Sequence, residues 1–461
     1  MAAVSSQAPF PCLRGAVASF DAVGDPPIVV VGHGIVGATT ALRLAYAGRR
    51  VVVVGSTPTT TNLAFGWLGG HQTGSRVRHA LNRLSRFAWE ALLDTHLGRD
   101  GYVSGGCLMY AADHSPGGVS RLEATARHYQ KLGFPTQTLD STALAEIAPA
   151  LAKLACGAVI LPEDAVIDGR WAASRALARA SALGADVRSG TVDAFERNAD
   201  GSIGRVLLSD GAVLSCSSLV LAAGGKGVRQ LGGLLGLPIP IKGIWGIKVK
   251  TKPLARRLVP GIAMLKHYSA ECTASAGISY GQYPDNSFCI NERSTEGTDM
   301  EDRLRYWLAH FGGLWPELRE AEIAYMTKTV RWVPGDDGHI CGFAPAPNAN
   351  VYVMLTNSDG INMSALLSDV AAAELCGGAS GLMAHCLPGR FMDDMPASSL
   401  MPPAVTRQST SGNSAMANMG ILIDGKFGCP DCLQRFDSKR ALDAHRKYIH
   451  DSNRSPEDCP R

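Results

Sequence analysis

The apolar residues of this chain fall into short unbroken runs, separated by glycine-bearing turns and by stretches with helical spacing. The run Ile28 to Val31 is followed by the turn Gly32-His33-Gly34-Ile35-Val36-Gly37, then by a helical segment from Ala38 to Gly48, then by a second run from Val51 to Val54. Strand, tight turn, helix and strand make a βαβ unit. Runs that are apolar at every position predict strands covered on both faces, as in a parallel sheet. Further on, Arg170 to Leu183 predicts a helix and Ala185 to Val192 a strand. Asn198-Ala-Asp-Gly201 and Asp210-Gly211 predict hairpin turns, and Ser218 to Ala223 predicts a strand that meets Gly224 and Gly225. Residues 245–294 favour strands, 299–323 has helical spacing, 351–356 is another apolar run, and Met363 to Leu375 reads as a closing helix.

At 461 residues the chain is long enough for two to four structural units, and with 46% hydrophobic and 18% charged residues it has the composition of a folded α/β protein. The net charge of +3 leaves no general electrostatic footprint for nucleic acid or an anionic membrane. No apolar run reaches the roughly 18–20 residues of a membrane-spanning helix. Ten of the twelve cysteines are dispersed and only Cys429 and Cys432 are close, which predicts an intracellular, reducing compartment. Mitochondrion, cytoplasm and nucleus stay open. Residues 1–25 are either a flexible N-terminus or a weak presequence, since the first twenty carry one basic group, Arg14.

The Gly32 turn has the chemistry of a diphosphate cradle. Glycines admit close backbone approach, and a helix N-terminus presents unpaired N–H groups and the positive end of its dipole. The acidic residue that normally ends the second strand and binds ribose is missing, because Val51–Val54 runs into Gly55 and Ser56. By itself the unit fits a nicotinamide-binding dehydrogenase as well as a flavoprotein, or a parallel-sheet turn with no ligand.

Later blocks narrow this. Gly106-Cys-Leu-Met-Tyr-Ala111, Pro149-Ala-Leu151, Gly157 to Asp164, Ser218 to Gly225 and Arg331-Trp-Val-Pro-Gly-Asp-Asp-Gly-His-Ile-Cys-Gly342, in this order and spacing, resemble the FAD-dependent family of D-amino-acid oxidase, glycine oxidase and sarcosine oxidase over residues 26–395. The resemblance implies a Rossmann-like FAD-binding domain from 26–70, 155–232 and 335–395, with a β-rich substrate domain from 71–154 and 233–334. It implies that Gly32, Gly34 and Gly37 face the pyrophosphate, that Val192 meets adenine through its backbone, and that Gly224 and Gly360 pass close to the flavin. Arg331 stands where such enzymes hold the substrate carboxylate, although a structural salt bridge is the plainer role for an arginine. No cysteine lies at the covalent attachment point of the sarcosine oxidases, so FAD is expected to be noncovalent. Gly55, the segment Thr356 to Met363 and Lys242-Gly243-Ile-Trp245 depart from the family pattern. Trp67, Tyr280 and Trp332 are candidates for the cavity wall, or core aromatics. His71 and His339 are candidate proton carriers, or structural histidines, and no base is assigned.

After a linker at 396–423, residues 424–451 have the pattern of a ββα two-Cys-two-His zinc finger. Cys429 and Cys432 are followed by twelve residues, His445, four residues and His450, with Phe436 and Leu442 at the apolar positions, and 452–461 form a tail. The positions that would read bases, Ser438, Ala441 and Ala444, are short, which argues against sequence-specific DNA and leaves a protein or RNA partner. The resulting expectation is an FAD-dependent oxidoreductase acting on a small amine or amino acid, tethered through a zinc finger. The alternative is a catalytically silent flavoprotein-like scaffold assembling with protein or RNA.

Overall fold

A computed structural model describes residues 25–56, 59–69, 76–111, 116–155, 157–268 and 278–391, together with 427–428, 435–436, 439 and 442–443. The βαβ unit forms as strand β1 (Ile28–Val31), helix α1 (Ile35–Tyr46) and strand β2 (Val51–Gly55). Every residue of both strands is buried. Ile28, Val30, Val51 and Val53 enter one core, whereas Val29, Val31, Val52 and Val54 enter another on the opposite face. Burial on two faces is why the sequence shows continuous rather than alternating apolar residues. At about 1.5–3 kcal/mol for each buried aliphatic side chain, these runs are a large share of what holds the sheet.

β1 pairs in parallel with β2 and with Ser218–Leu221. The sheet extends through Val351–Leu355 to the antiparallel edge strand Ile340–Phe343, and on the other side through β2 to Asp186–Ser189. α1 and the helices Gly169–Ala182 and Gly360–Leu375 share the first core. Helix Gly224–Leu234 and the antiparallel strands Val192–Arg197, Ile203–Leu208 and Val213–Ser215 share the second.

The eight-stranded sheet runs Ile323–Pro334, Ile241–Pro253, Ser287–Arg293, Ile278–Gln282, Met264–Tyr268, Cys107–Ala111, Gly157–Leu161 and Gln137–Asp140. One face carries Ile247, Val249, Tyr280, Phe288 and Ile290 into a core closed by helix Met300–Leu314 through Trp307 and Phe311. The opposite face of its first three strands is polar and turns toward β1 and α1.

Several predicted elements differ in extent. The strand expected over 185–192 stops at Ser189, because Gly190 donates to the Gly55 carbonyl and the chain then leaves the sheet to start a new strand at Val192. The helical spacing of 299–323 gives a helix only to Leu314, where Pro316 removes the donor needed for another turn. The closing helix starts at Gly360, not Met363. Two segments pack across the domain boundary expected from sequence. Helix Arg76–Leu92 buries Leu81, Ala88 and Trp89 in the first core, and Gly157–Leu161 lies in the eight-stranded sheet.

Candidate active site

The turn from β1 into α1 is held by backbone contacts that only glycine permits. Gly32 has φ 114°, and a Cβ there would lie 2.3 Å from the Ala222 carbonyl oxygen. At Gly37 a Cβ would come within 1.8 Å of the Gly32 oxygen. The turn is thus wedged against the end of strand Ser218–Leu221. The Ile35 amide donates to Thr61 Oγ1 at 3.0 Å, and no acidic side chain occupies the first turn of α1. Its remaining first-turn N–H groups keep the positive end of the dipole open to a ligand.

A cavity of about 670 Å³ starts at this turn. One end is formed by Val54, Gly55, Ser56 and Gly190–Val192, and the middle by Gly32–Val36. The other end lies between Gly224–Gly227, Met354–Asn362 and the polar face of the eight-stranded sheet. All of Gly32, Gly34, Val192, Gly224, Gly360 and Arg331 line it; Gly37 stands just behind the turn as a packing residue.

Gly55 carries no acid because it has no room for one. A Cβ there would meet the His33 ring at 2.6 Å and the His33 amide nitrogen at 2.8 Å. His33 lines the cavity, and its Nε2 is buried without a hydrogen-bond partner. An imidazole therefore stands where the sequence pattern asks for a carboxylate.

On the sheet side, register places Ile244 opposite Arg331, Gly246 between Thr329 and Arg293, and Lys248 between Thr327 and Asn291. Alternation puts these residues on one face. Arg331 is half-buried, and among the described residues no carboxylate pairs with it. Burial, and secondarily the Arg293 charge, depress its pKa below the usual guanidinium range. Lys248 is buried, with Nζ donating to the Ala64 carbonyl at 2.5 Å and to the Tyr283 hydroxyl at 3.3 Å.

Among the candidate aromatics, Trp67 and Trp332 line the cavity and Tyr280 does not. Tyr280 is fully buried in the sheet core, 4.6 Å from the Phe311 ring centroid, with its hydroxyl 2.6 Å from that of Tyr110. Trp67 donates Nε1 to Asp164 Oδ2 at 2.9 Å. His71 lies outside the described residues. His339 is buried, and its Nδ1 accepts from the Asn357 amide at 3.2 Å. Burial first, then the Arg78 and Arg390 charges, push its pKa down to about 3. It is a neutral structural residue, not a proton carrier.

Lys248, Arg293, His33 and Asp359 were not singled out from sequence as site residues. The period-two recurrence of Ile244, Gly246 and Lys248 was the available signal for Lys248. Arg293 emerges only once strands are paired. Asp359 precedes the closing helix, lines the cavity and has both carboxylate oxygens buried without a hydrogen bond. Burial raises its pKa to about 7, and the smaller opposing attraction of Arg78 does not cancel this. With His339 neutral, the 3.7 Å approach of the two side chains is not an ion pair near neutrality.

Cys429, Cys432, His445 and His450 lie outside the described residues. Nearby, Phe427–Gly428 pairs antiparallel with Arg435–Phe436. Among the described residues no group of three or more His, Cys, Asp or Glu side chains can hold a metal, and no helix is long and apolar enough to cross a membrane.

Residues 27–374 match the model of the DAO family, described as FAD dependent oxidoreductase. The chain belongs to this family of FAD-dependent oxidoreductases. Solved structures similar to this oxidoreductase include a glycine oxidase from Geobacillus kaustophilus, at 20% identity and a TM-score of 0.65, covering 77% of this chain and 95% of that one. An L-proline dehydrogenase from P. horikoshii is 20% identical with a TM-score of 0.66, over 80% and 98% of the two chains. An iminodiacetate oxidase from Chelativorans is 18% identical with a TM-score of 0.65, over 81% and 98%. At these identities the likeness establishes the fold of the oxidoreductase. The glycine cradle, too tight for a Cβ at Gly32 and with Gly34 lining the cavity, fits the dinucleotide that the family binds.

A buried carboxyl whose folded pKa is raised stabilises the fold below the ordinary aspartate range, and that contribution is lost as pH rises through about 7. Asp359→Asn is therefore expected to melt several degrees above the wild-type protein at about pH 8, the difference shrinking steadily as pH falls from about 7 toward about 4. Parallel melting curves across that range would show that Asp359 is not a protonated buried acid.

Proposed function

We propose that this chain binds FAD noncovalently and oxidises a small amine or amino acid. The single observation carrying this reading is that one continuous cavity joins the Gly32 cradle to Arg331, a half-buried guanidinium lacking a protein carboxylate. In this reading Gly32, Gly34 and Gly37 shape the diphosphate site and the backbone at Val192 meets adenine. His33 takes the place of the missing acid by hydrogen-bonding ribose, and Gly224 and Gly360 allow close approach of the flavin. The six-stranded sheet is then the flavin side and the eight-stranded sheet the substrate side. The structural neighbours named for glycine, proline and iminodiacetate are compatible with such a substrate.

Bound flavin supplies the redox chemistry by accepting hydride from the carbon that bears the amine, and the resulting imine hydrolyses in water. Arg331 orients the substrate, because its planar fork offers two matched donors to one carboxylate. Lys248, fixed by the Ala64 carbonyl and the Tyr283 hydroxyl, adds positive charge to the same face. Cys216, Cys289, Cys341 and Cys386 form no disulfide, which is compatible with an intracellular, reducing compartment.

The C-terminal zinc finger completes the proposal. Pairing of Phe427 with Phe436 on either side of Cys429 and Cys432 supports a ββα module in which these cysteines, His445 and His450 bind zinc and tether the enzyme to a protein or RNA partner.

The purified protein is expected to show a flavin absorption band that bleaches on anaerobic addition of one of glycine, sarcosine or a D-amino acid. A band that no amine bleaches would transfer the reading to a silent scaffold, and failure to bind added FAD would end both. Replacing His33 by Ala should weaken FAD binding about tenfold, the loss of one hydrogen bond to a sugar hydroxyl; unchanged affinity removes His33 from the site. One zinc per chain is expected, lost in Cys432→Ser without change in flavin content or in the melting of the main body; zinc retained by that variant would refute the ligand set.

A further inference from the structure

Two features of the cavity have no role in holding a dinucleotide. The first is that Arg331 and Arg293 both line it, and among the described residues neither has a carboxylate partner. The second is the register that brings them together. Arg293 pairs with Gly246, Arg331 pairs with Ile244, and both positions lie on the cavity face of the sheet. Strand Ile241–Pro253 separates the two arginines, so their Cα atoms are about 11 Å apart by strand spacing and rise.

The Arg331 side chain closes much of that gap. A Cβ built on Gly246 would lie 3.9 Å from both its Nε and its Nη2, so the guanidinium passes over the glycine, toward the strand of Arg293. Any larger residue at 246 would stand between the two side chains. The acid nearest to Arg293 in sequence cannot neutralise it, since Glu292 is held by Arg303 through both carboxylate oxygens at 2.6 and 2.7 Å. Lys248, the next cation on this face, is already bound to the Ala64 carbonyl and the Tyr283 hydroxyl. What stays open is a pair of guanidiniums with separate origins, one half-buried and one exposed at the cavity mouth.

We propose that Arg293 is a second carboxylate-binding residue and that the preferred substrate is an amine carrying two carboxylates, one on Arg331 and the other on Arg293. This rests on the reading of the cavity as that of a flavin-dependent amine oxidoreductase. Arg293 is a specificity-determining residue: it leaves the reacting carbon alone and decides which amines fill the mouth of the cavity. A monocarboxylate satisfies Arg331 only.

The test uses the full-length protein loaded with FAD and follows the flavin spectrum while acetate, malonate, succinate and glutarate are titrated in, so binding is read without turnover. At least one dicarboxylate is expected to bind about tenfold or more tightly than acetate. In Arg293→Gln that advantage should disappear while acetate affinity stays within about twofold, and Arg293→Lys should recover part of it. Arg331→Gln should weaken acetate and the dicarboxylate alike. Equal affinity of the wild-type protein for acetate and all three dicarboxylates would overturn the second subsite and leave the flavin reading intact. So would equal losses for both ligand classes in Arg293→Gln. Failure of the protein to take up FAD would overturn the flavin reading and this inference with it.

Discussion

The fold depends on one close backbone approach. The turn after β1 runs so near to Ala222 and to its own helix that side chains at positions 32 and 37 would overlap carbonyl oxygens by more than an ångström. This contact fixes the angle at which α1 leaves the sheet, and so the direction in which its N–H groups point. It also ties the first βαβ unit to strand Ser218–Leu221, which is nearly two hundred residues away in sequence. That strand opens directly into Gly224–Gly227, which line the cavity where it meets the eight-stranded sheet. The glycine turn and that far end of the cavity are held in one frame by residues that have no side chain to bond with.

Legibility in the sequence follows the range of the interaction. The βαβ unit was readable because its signals are local: β-branched runs, a turn that needs glycine, and a helix. The two hairpins in 192–215 were readable for the same reason. The start of the closing helix was hidden because Ser358-Asp359-Gly360 looks like a turn, yet Trp89 Nε1 and Ser85 Oγ donate to carbonyls at Ile361 and Asn362 and hold that first turn in place. Helix Arg76–Leu92 supplies those donors, and nothing in its own spacing says which sheet it will cover. Tyr280 looked like a site aromatic because strand residues alternate, and only register tells which alternate faces the cavity. The same blindness hid Arg293.

Electrostatically the two walls that meet at this end of the cavity differ. Near the closing helix, burial removes charge: Asp359 shifts toward its neutral form, and His339 is locked neutral by the Asn357 amide. Burial there works against the ionised form of both groups. Along the sheet face the balance goes the other way. Arg331, Arg293 and Lys248 lie on one surface and have no carboxylate against them among the described residues.

Such an arrangement costs the empty protein stability, because like charges repel and the half-buried Arg331 guanidinium loses hydration without a protein carboxylate in return. An anion bound against these groups would offset that cost, since a ligand that binds the folded state stabilises it. In the proposed reading a diphosphate at the Gly32 turn and a carboxylate at the sheet face would each supply such charge, at separate places in one cavity. Gly55 fits the same logic. An acid there would have set a negative charge beside the diphosphate, and it is His33, a neutral or positive group, that fills the space instead. The departure from the usual acid therefore leaves the cradle without a carboxylate; the acids that line the cavity, Asp359 and the Lys242-paired Asp337, lie toward its other end.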